Sequence, residues 1–225
     1  MIEAHYPDVE VFNLGGGFKV ARGDLDKATD VSEMAASVLQ LVDAFNAKTG
    51  RHLRLEIEPG TFLVANCGVL ISQVIDKVTT KKSPEDPEGL NFLKLNTGLN
   101  EVTRPALYGA QHSIKFFVSG AASESEDYVI VGHCCESGDL ITCAPGNSDE
   151  IRAVPVTKSV AIGDLAVLKG TGAYCSGMSL KNYNSFPEAA EVLIRAGTGA
   201  IDIIRHRQAF DSIMANEVDV IKEAI

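Results

Sequence analysis

The stretch VEVFNLGGGF, Val9–Phe18, decides the fold of the first part of this 225-residue chain. An apolar run that stops at three glycines is typical of a strand ending in a tight turn. Asp30 and Glu33 then have the spacing of a helix N-terminal capping box, and apolar residues recur at helical spacing up to a stop at Gly50. LRLEIEPG, Leu53–Gly60, alternates like a strand and ends in a Pro-Gly turn. The pattern therefore predicts one right-handed βαβ unit.

After Pro59 the texture of the sequence changes to short alternating or β-branched runs. Turn-rich pieces such as KKSPEDPEG and APGNSDE separate these runs, at spacings typical of an antiparallel β domain. RQAFDSIMANEVDVIKEAI, residues 207–225, is predicted to close the chain as a helix. The predicted strands are VLISQVIDKV, NFLKLN, SIKFFV, DYVIVG, LAVLKG, EVLIR and AIDIIR.

The two halves differ in whether each can form a domain alone. A single βαβ unit leaves apolar faces uncovered, because parallel sheets are normally buried on both sides. We therefore expect residues 1–61 to be the tail of a larger α/β structure, and residues 62–225 to be a C-terminal antiparallel β domain with a closing helix. The chain is then expected to start in mid-fold, and to be poorly soluble alone or to bury Val9, Val11 and Leu14 against another chain.

The composition excludes several classes of partner. Lys and Arg number 20 and Asp and Glu 30, so the net charge is −10, which argues against nucleic-acid and anionic-membrane partners. No secretory signal opens the chain, and no apolar run reaches the roughly 18 residues that a membrane helix needs. Five cysteines without scaffold-like spacing favour a reducing, cytoplasmic location.

VGHCCESGDLIT, residues 131–142, admits several chemical readings. A zinc site is disfavoured because His133, Cys134 and Cys135 are consecutive, so their side chains alternate between opposite faces, and the chain has no C-x-x-C pair. A disulfide between adjacent cysteines is strained. A buried thiol near acidic groups should have a raised pKa and act as a proton donor rather than a nucleophile. Two small apolar residues at a strand end are the plain alternative.

The glycine turns carry a second possible site. Backbone N–H groups freed by Gly15, Gly16 and Gly17 are suited to a phosphate, although three glycines also make an ordinary tight turn. Glu58 places a carboxylate at the end of the next strand, where it is equally a solvated strand-end acid.

Five ordered motifs carry a family resemblance: NLGGGF, EPGTFLVANCG, TGLNEVTRPALYGAQH, GHCCESGD and GTGAYCSGMSLKNYN. Together they resemble the fold-type III pyridoxal-phosphate decarboxylases of the ornithine/diaminopimelate/arginine family, and within it the diaminopimelate branch most. The resemblance implies pyridoxal 5'-phosphate as cofactor, a small amino-acid substrate and a homodimer. It also implies an N-terminal, cofactor-binding (β/α)8 barrel, of which residues 1–61 would be the C-terminal end, followed by a β domain formed by residues 62–225. It implies no metal.

The resemblance also implies residue roles. Glu58 would face the pyridine nitrogen of the cofactor, and Cys135, from the other subunit of a dimer, would protonate the substrate carbon after decarboxylation. Glu136 would accept the distal ammonium group of the substrate. The cofactor-binding set is Gly15, Gly16, Gly17, Glu58, Gly60, Thr61 and Tyr174; the substrate-binding set is Arg104, Tyr108, Glu136 and Tyr174.

Two departures from the family pattern matter. Thr61 stands where the family usually has Arg after EPG, and we interpret this as a subfamily variant that uses a hydroxyl. The lysine that binds the cofactor lies in an early barrel strand of the family, and Lys19, Lys77 and Lys94 do not match its motif.

The function implied is that of the C-terminal part of an enzyme that converts meso-diaminopimelate to L-lysine and CO2, with the isolated chain inactive. The alternatives are a catalytically inactive relative that binds a partner subunit, and a decarboxylase for another basic amino acid or a carboxylated polyamine.

Overall fold

The computed structural model describes residues 5–23, 26–80, 82–84, 87, 89–121 and 124–218. Its first unit is the predicted strand, helix and strand: β1 (Val11–Asn13), α1 (Val31–Thr49) and β2 (Arg54–Glu56). The two strands pair in parallel, with Val11 opposite Arg54. The Asp30 side chain caps α1 by accepting the N–H groups of Ser32 and Glu33, and Gly50 ends the helix at φ 70°. These elements confirm the expected βαβ pattern.

The second unit is a six-stranded sheet with strand order β5-β10-β3-β4-β6-β9. Two small antiparallel pairs, β7 with β8 and β11 with β12, stand beside it. The strands are β3 (Val69–Thr79), β4 (Asn91–Leu95), β5 (Ile114–Phe117), β6 (Ser125–Val131), β7 (Cys143–Ala144), β8 (Asn147–Ile151), β9 (Val154–Thr157), β10 (Leu165–Lys169), β11 (Glu191–Ile194) and β12 (Ile201–Arg205).

The expectation of a purely antiparallel domain is wrong at one pair, because β4 and β6 run parallel and make the sheet mixed. A parallel pair needs a long crossover connection, and residues 96–124, which contain a short helix and β5, provide it. Alternation within each strand predicts its burial but carries no information on which neighbour it meets. The direction of this pairing was therefore not readable from the sequence.

The core of the β domain is formed by side chains from one face of these strands. Leu93 and Leu95 of β4, Tyr128 and Ile130 of β6, and Leu168 of β10 are all at most 1% exposed. In β10 the buried Ala166 and Leu168 alternate with the exposed Leu165 and Lys169, as expected for a strand with one face on the core. This core gives the loops between strands a rigid base.

The remaining helices are short. They are α2 (Gly60–Val64), α3 (Arg104–Tyr108) and α4 (Phe210–Ile213), with 3-10 turns at Ala65–Cys67 and Tyr183–Ser185. In the described part of the helix predicted for residues 207–225, helix is present at α4, which has no side-chain cap and no buried residue to extend it. Residues 219–225 of that prediction lie outside the described residues.

Much apolar surface of the first unit is uncovered in the single chain. Helix α1 has no buried residue, and Leu41 on it is 72% exposed. Leu14, just after β1, is exposed, whereas Val9 and Val11 are half-buried. Within the described ranges, no helix combines the length and apolarity needed to cross a bilayer.

Truncation of Leu168 to Ala should lower the free energy of unfolding by about 2–5 kcal/mol, because the side chain is fully buried and its loss leaves a cavity. Leu165→Ala, in the same strand but 44% exposed, should cost less than about 1 kcal/mol. Urea unfolding of the two variants measures the difference. Equal losses would show that β10 does not present Leu168 to the core.

Candidate functional site

The C-terminal ends of β1 and β2 meet because the strands are parallel. Gly15, Gly16 and Gly17 follow β1, while Glu58 and Gly60 follow β2. The Glu58 N–H donates to the Gly15 carbonyl at 2.8 Å. A Cβ atom on Gly16 would lie 2.7 Å from the Glu58 carbonyl oxygen, so only glycine permits this approach.

The same edge offers hydrogen-bonding groups to a ligand. Asn13 Nδ2 donates to Glu58 Oε1 at 2.9 Å, and Asn13 Oδ1 accepts the Gly15 N–H at 2.6 Å. Among the described residues, the N–H groups of Gly16 and Gly17 have no hydrogen-bond acceptor. Free backbone N–H groups such as those of Gly16 and Gly17 are suited to binding a phosphate. A carboxylate held in place by an amide, as Glu58 is by Asn13, is suited to binding a protonated ring nitrogen.

Asp139 organises the second group of candidate residues, the loop 132–139. Its carboxylate accepts the N–H of Leu99 at 2.7 Å and the N–H of Cys134 at 2.8 Å. Cβ atoms on Gly98 and Gly132 would lie 2.3 Å and 2.1 Å from its carboxylate oxygens. Burial raises the pKa of Asp139, and the two N–H donors oppose that rise. The carboxylate therefore joins the 97–100 loop to the 132–139 loop.

The adjacent cysteines have opposite environments, although both lie in the bend that follows β6, outside any strand. Cys134 is 8% exposed, and burial together with Asp139 raises its pKa to about 12. Cys135 is exposed, and its backbone N–H donates to Asn184 Oδ1 at 2.8 Å. The buried protonated thiol predicted from the sequence is thus Cys134, whereas Cys135 is the thiol that a ligand can reach.

Glu136 is presented as an ionised carboxylate. The Gly138 N–H donates to Oε1 at 3.2 Å, and the Tyr183 hydroxyl donates to Oε2 at 3.3 Å. These donors hold the pKa of Glu136 below its usual value. Tyr183 and Asn184 are consecutive, and Asn184 has a φ of 52°, which non-glycine residues rarely adopt. One strained turn therefore supports both Cys135 and Glu136.

The His133 side chain packs against Phe186 and contacts Asn100. Its ring stacks on Phe186 with centroids 3.6 Å apart, and its Nε2 atom lies 3.0 Å from Asn100 Oδ1. Burial lowers its pKa to about 4, so the ring is neutral. Within the described ranges, no three His, Cys, Asp or Glu side chains are arranged to hold a metal ion. Cys134 and Cys135 are both free thiols.

Arg104, Tyr108 and Tyr174 form the third group. Arg104 begins α3, and its buried Nε atom has no hydrogen-bond acceptor among the described residues. Tyr108 at the end of α3 and Tyr174 are 55% and 58% exposed, and Tyr174 has a φ of 57°. Cys175, next to Tyr174, is buried; burial raises its pKa while Arg104 and Arg22 lower it. Arg104 and the 174–175 segment therefore lie near each other.

The structure brings predicted site residues together inside each of these three groups. Among the described residues, no hydrogen bond or ion pair links Glu58 to the loop that carries Cys135. Thr61 is half-buried in the first turn of α2. A cleft of about 490 Å³, lined by Pro7, Val9, Glu10, Arg51, His52 and Arg54, lies at the opposite ends of β1 and β2 and is not part of the site.

Sequence analysis missed the residues that support the candidate groups. Asp139 stood in a quoted motif, but its role depends on Leu99, which is 40 positions away. Asn184 likewise reaches Cys135 across 49 positions. The sequence Asn182-Tyr183-Asn184 could have predicted a tight turn here, since Asn is the non-glycine residue that best tolerates positive φ.

Comparisons with known proteins agree with these motifs. The family model described as "Pyridoxal-dependent decarboxylase, C-terminal sheet domain" matches residues 21–172. Diaminopimelate decarboxylase of Escherichia coli strain K12 is 36% identical over 219 residues, which cover 94% of this chain and 48% of that protein. The chain thus spans about half the length of the curated relatives it matches.

Solved structures of diaminopimelate decarboxylases also resemble this chain over about half of their own length. A crystal structure of diaminopimelate decarboxylase is 34% identical with a TM-score of 0.77, covering 95% of this chain and 48% of that one. Diaminopimelate decarboxylase from Helicobacter pylori, solved in complex with L-lysine, is 28% identical with a TM-score of 0.70, covering 97% of this chain and 46% of that one.

Gly132→Ala should lower the free energy of unfolding by about 2–4 kcal/mol, because the added methyl group displaces the Asp139 carboxylate from its two N–H donors. Gly138→Ala in the same loop is the matched control, since the nearest atom to its Cβ is Glu136 Oε1 at 3.7 Å. Chemical denaturation measures both. If Gly132→Ala is as stable as Gly138→Ala, Asp139 does not organise the loop.

Proposed function

The chain belongs to the pyridoxal-dependent decarboxylases, and we propose that it forms the part of a diaminopimelate decarboxylase that recognises substrate and donates a proton. The complete enzyme converts meso-diaminopimelate to L-lysine and CO2. The observation that carries this proposal is the exposed pair of Cys135 and Glu136 on a loop anchored by the buried Asp139. A proton donor and an anionic recognition group are thereby presented side by side.

The cofactor would be held at the ends of β1 and β2. The unengaged N–H groups of Gly16 and Gly17 would bind its phosphate, and the Thr61 hydroxyl would add a donor. The N–H groups of Gly15 and Gly60 donate to Asn13 Oδ1 and the Glu58 carbonyl, so these two glycines would shape the turn around the phosphate. Glu58, fixed by Asn13, would keep the ring nitrogen protonated. Pyridoxal phosphate, when bound, supplies the electron sink for loss of CO2. The exposed Tyr174 would cover it.

The substrate would be held by charge complementarity at both ends. Arg104 and Tyr108 would bind a carboxylate, which a guanidinium accepts with two parallel hydrogen bonds. Glu136 would bind the distal ammonium group, and its lowered pKa keeps it ionised for that contact. Cys135 Sγ would give its proton to the substrate carbon after CO2 has left, where the electron pair of the broken C–C bond would take up that proton.

We further propose that the loop with Cys135 and Glu136 completes the site of a second subunit. Both residues are exposed, and α1 and Leu14 leave apolar surface uncovered in the single chain. Residues 1–61 would then be the barrel part and residues 62–225 the β-domain part. Five free thiols suit a reducing compartment, for which we propose the cytoplasm.

A first test is a pyridoxal phosphate titration with borohydride reduction and mass spectrometry. We expect no reducible adduct on a lysine of this chain, because the family resemblance places the cofactor-binding lysine in an early barrel strand and Lys19, Lys77 and Lys94 do not match its motif. Co-expression with the N-terminal half of the Escherichia coli relative should place an adduct on that polypeptide and produce CO2 from meso-diaminopimelate. An adduct on a lysine of this chain would overturn the proposed division of roles.

In the co-expressed assembly, Cys135→Ala should reduce CO2 and lysine formation by about 10²–10⁴-fold, the usual contribution of a positioned acid. Cys67→Ala, which also removes an exposed thiol, should leave the rate unchanged. Equal rates for the two variants would remove Cys135 from the proposed role. Activity on ornithine or arginine instead of meso-diaminopimelate would contradict the proposed substrate but would support the proposed reaction class, decarboxylation of an amino acid.

A further inference from the structure

Unsatisfied buried polar atoms concentrate around Arg104 and two residues to which no role has been assigned so far, Arg22 and His112. Within the described residues, four buried side-chain nitrogen atoms have no hydrogen-bond partner. Three of them are Arg22 Nη2, Arg104 Nε and His112 Nε2. Buried polar groups are normally satisfied, so a cluster of exceptions indicates a missing ligand or water.

The charges in this cluster are unbalanced. Burial lowers the pKa of Arg22, and repulsion from Arg104 lowers it further. Burial lowers the pKa of His112 to about 4, and both arginines add to the effect. The carboxylate of Asp26 accepts the backbone N–H groups of Arg22 and Gly23, at 3.1 Å and 3.3 Å. No carboxylate within the described residues pairs with either guanidinium.

The cluster is built into the fold at the end of β10. Arg22 Nε donates to the Gly170 carbonyl at 3.1 Å, and a Cβ on Gly170 would lie 2.7 Å from Arg22 Cγ. His112 Nδ1 lies 2.9 Å from the Lys169 carbonyl, so Nδ1 carries the proton and Nε2 is a free acceptor. A cleft of about 260 Å³, lined in part by Arg22, Asn66 and Lys169, gives solvent access to Arg22.

We propose that Arg22 and Arg104 together bind one oxyanion, with Arg22 as a ligand-binding residue in its own right. Two guanidiniums with free N–H groups satisfy the oxygens of a carboxylate or phosphate, and the anion removes the repulsion between them. His112 Nε2 requires a donor, so the ligand carries one beside its oxygens. An α-amino-acid head group and a hydrogen phosphate both have this chemistry, whereas acetate does not.

The identification of this oxyanion as the substrate carboxylate rests on the proposed function. The existence of an anion-binding site at Arg22 and Arg104 does not depend on that function. Differential scanning fluorimetry and calorimetry with L-lysine, inorganic phosphate and acetate, at constant ionic strength, separate the two sources. Saturable stabilisation by L-lysine would show that the site binds an amino-acid head group. Saturable stabilisation by phosphate but not by L-lysine would show that it binds phosphate. Pyridoxal phosphate binding, measured by absorbance, reports on the proposed function separately.

We expect Arg22→Gln and Arg104→Gln each to weaken the anion affinity by roughly ten- to a hundredfold, the range for a hydrogen bond to a charged group. Arg195→Gln is the matched control, since Arg195 is an exposed arginine paired with Asp202. No saturable stabilisation in the wild type, or unchanged affinity in Arg22→Gln, would overturn the proposal and leave water as the partner.

A second measurement uses the wild-type chain alone and does not depend on the folding of a variant. NMR of the His112 imidazole should show a shift of the Nε2 resonance when the ligand is bound, because the ligand donates a hydrogen bond to that atom, which has no partner in the free chain among the described residues. An unchanged Nε2 resonance at saturating phosphate and L-lysine would place the ligand elsewhere and contradict the site.

Discussion

The buried carboxylate of Asp139 is the interaction on which the candidate site depends. It accepts backbone N–H groups from two loops, at Leu99 and Cys134, in a space that Gly98 and Gly132 leave open by having no side chain. A carboxylate in this position loses hydration, which the raised pKa of Asp139 records. The two charge-assisted hydrogen bonds offset that loss and give the 132–139 loop one conformation.

From that anchor, two neighbouring thiols acquire different chemistry. Cys134 lies beside the Asp139 carboxylate, which with burial keeps its proton in place. Cys135 points away from the core and is supported only through its backbone, by Asn184. Glu136 follows with donors from Gly138 and Tyr183. The exposed part of the loop therefore combines a reachable thiol with an ionised carboxylate, a combination that suits a substrate with an ammonium group at one end.

The contacts between the N-terminal segment and the β domain bring a second kind of group together. Arg22 crosses Gly170, and a Cβ on Gly172 would lie 2.0 Å from the Val64 carbonyl, so both crossings require glycine. The result places Arg22 near Arg104, and no carboxylate among the described residues forms an ion pair with either guanidinium. Unpaired guanidiniums of this kind are costly in an isolated fold, and a ligand that binds them recovers part of that cost.

The sequence by itself determined the local elements and the family. Capping at Asp30, the stop at Gly50 and the two glycine-ended strands needed only neighbouring residues. Only the tertiary structure decided the parallel pairing of β4 with β6, the role of Asp139 and the approach of Arg22 to Arg104. Those features join positions 37 to 82 residues apart. Burial and charge at such distances arise from packing, which no local spacing encodes.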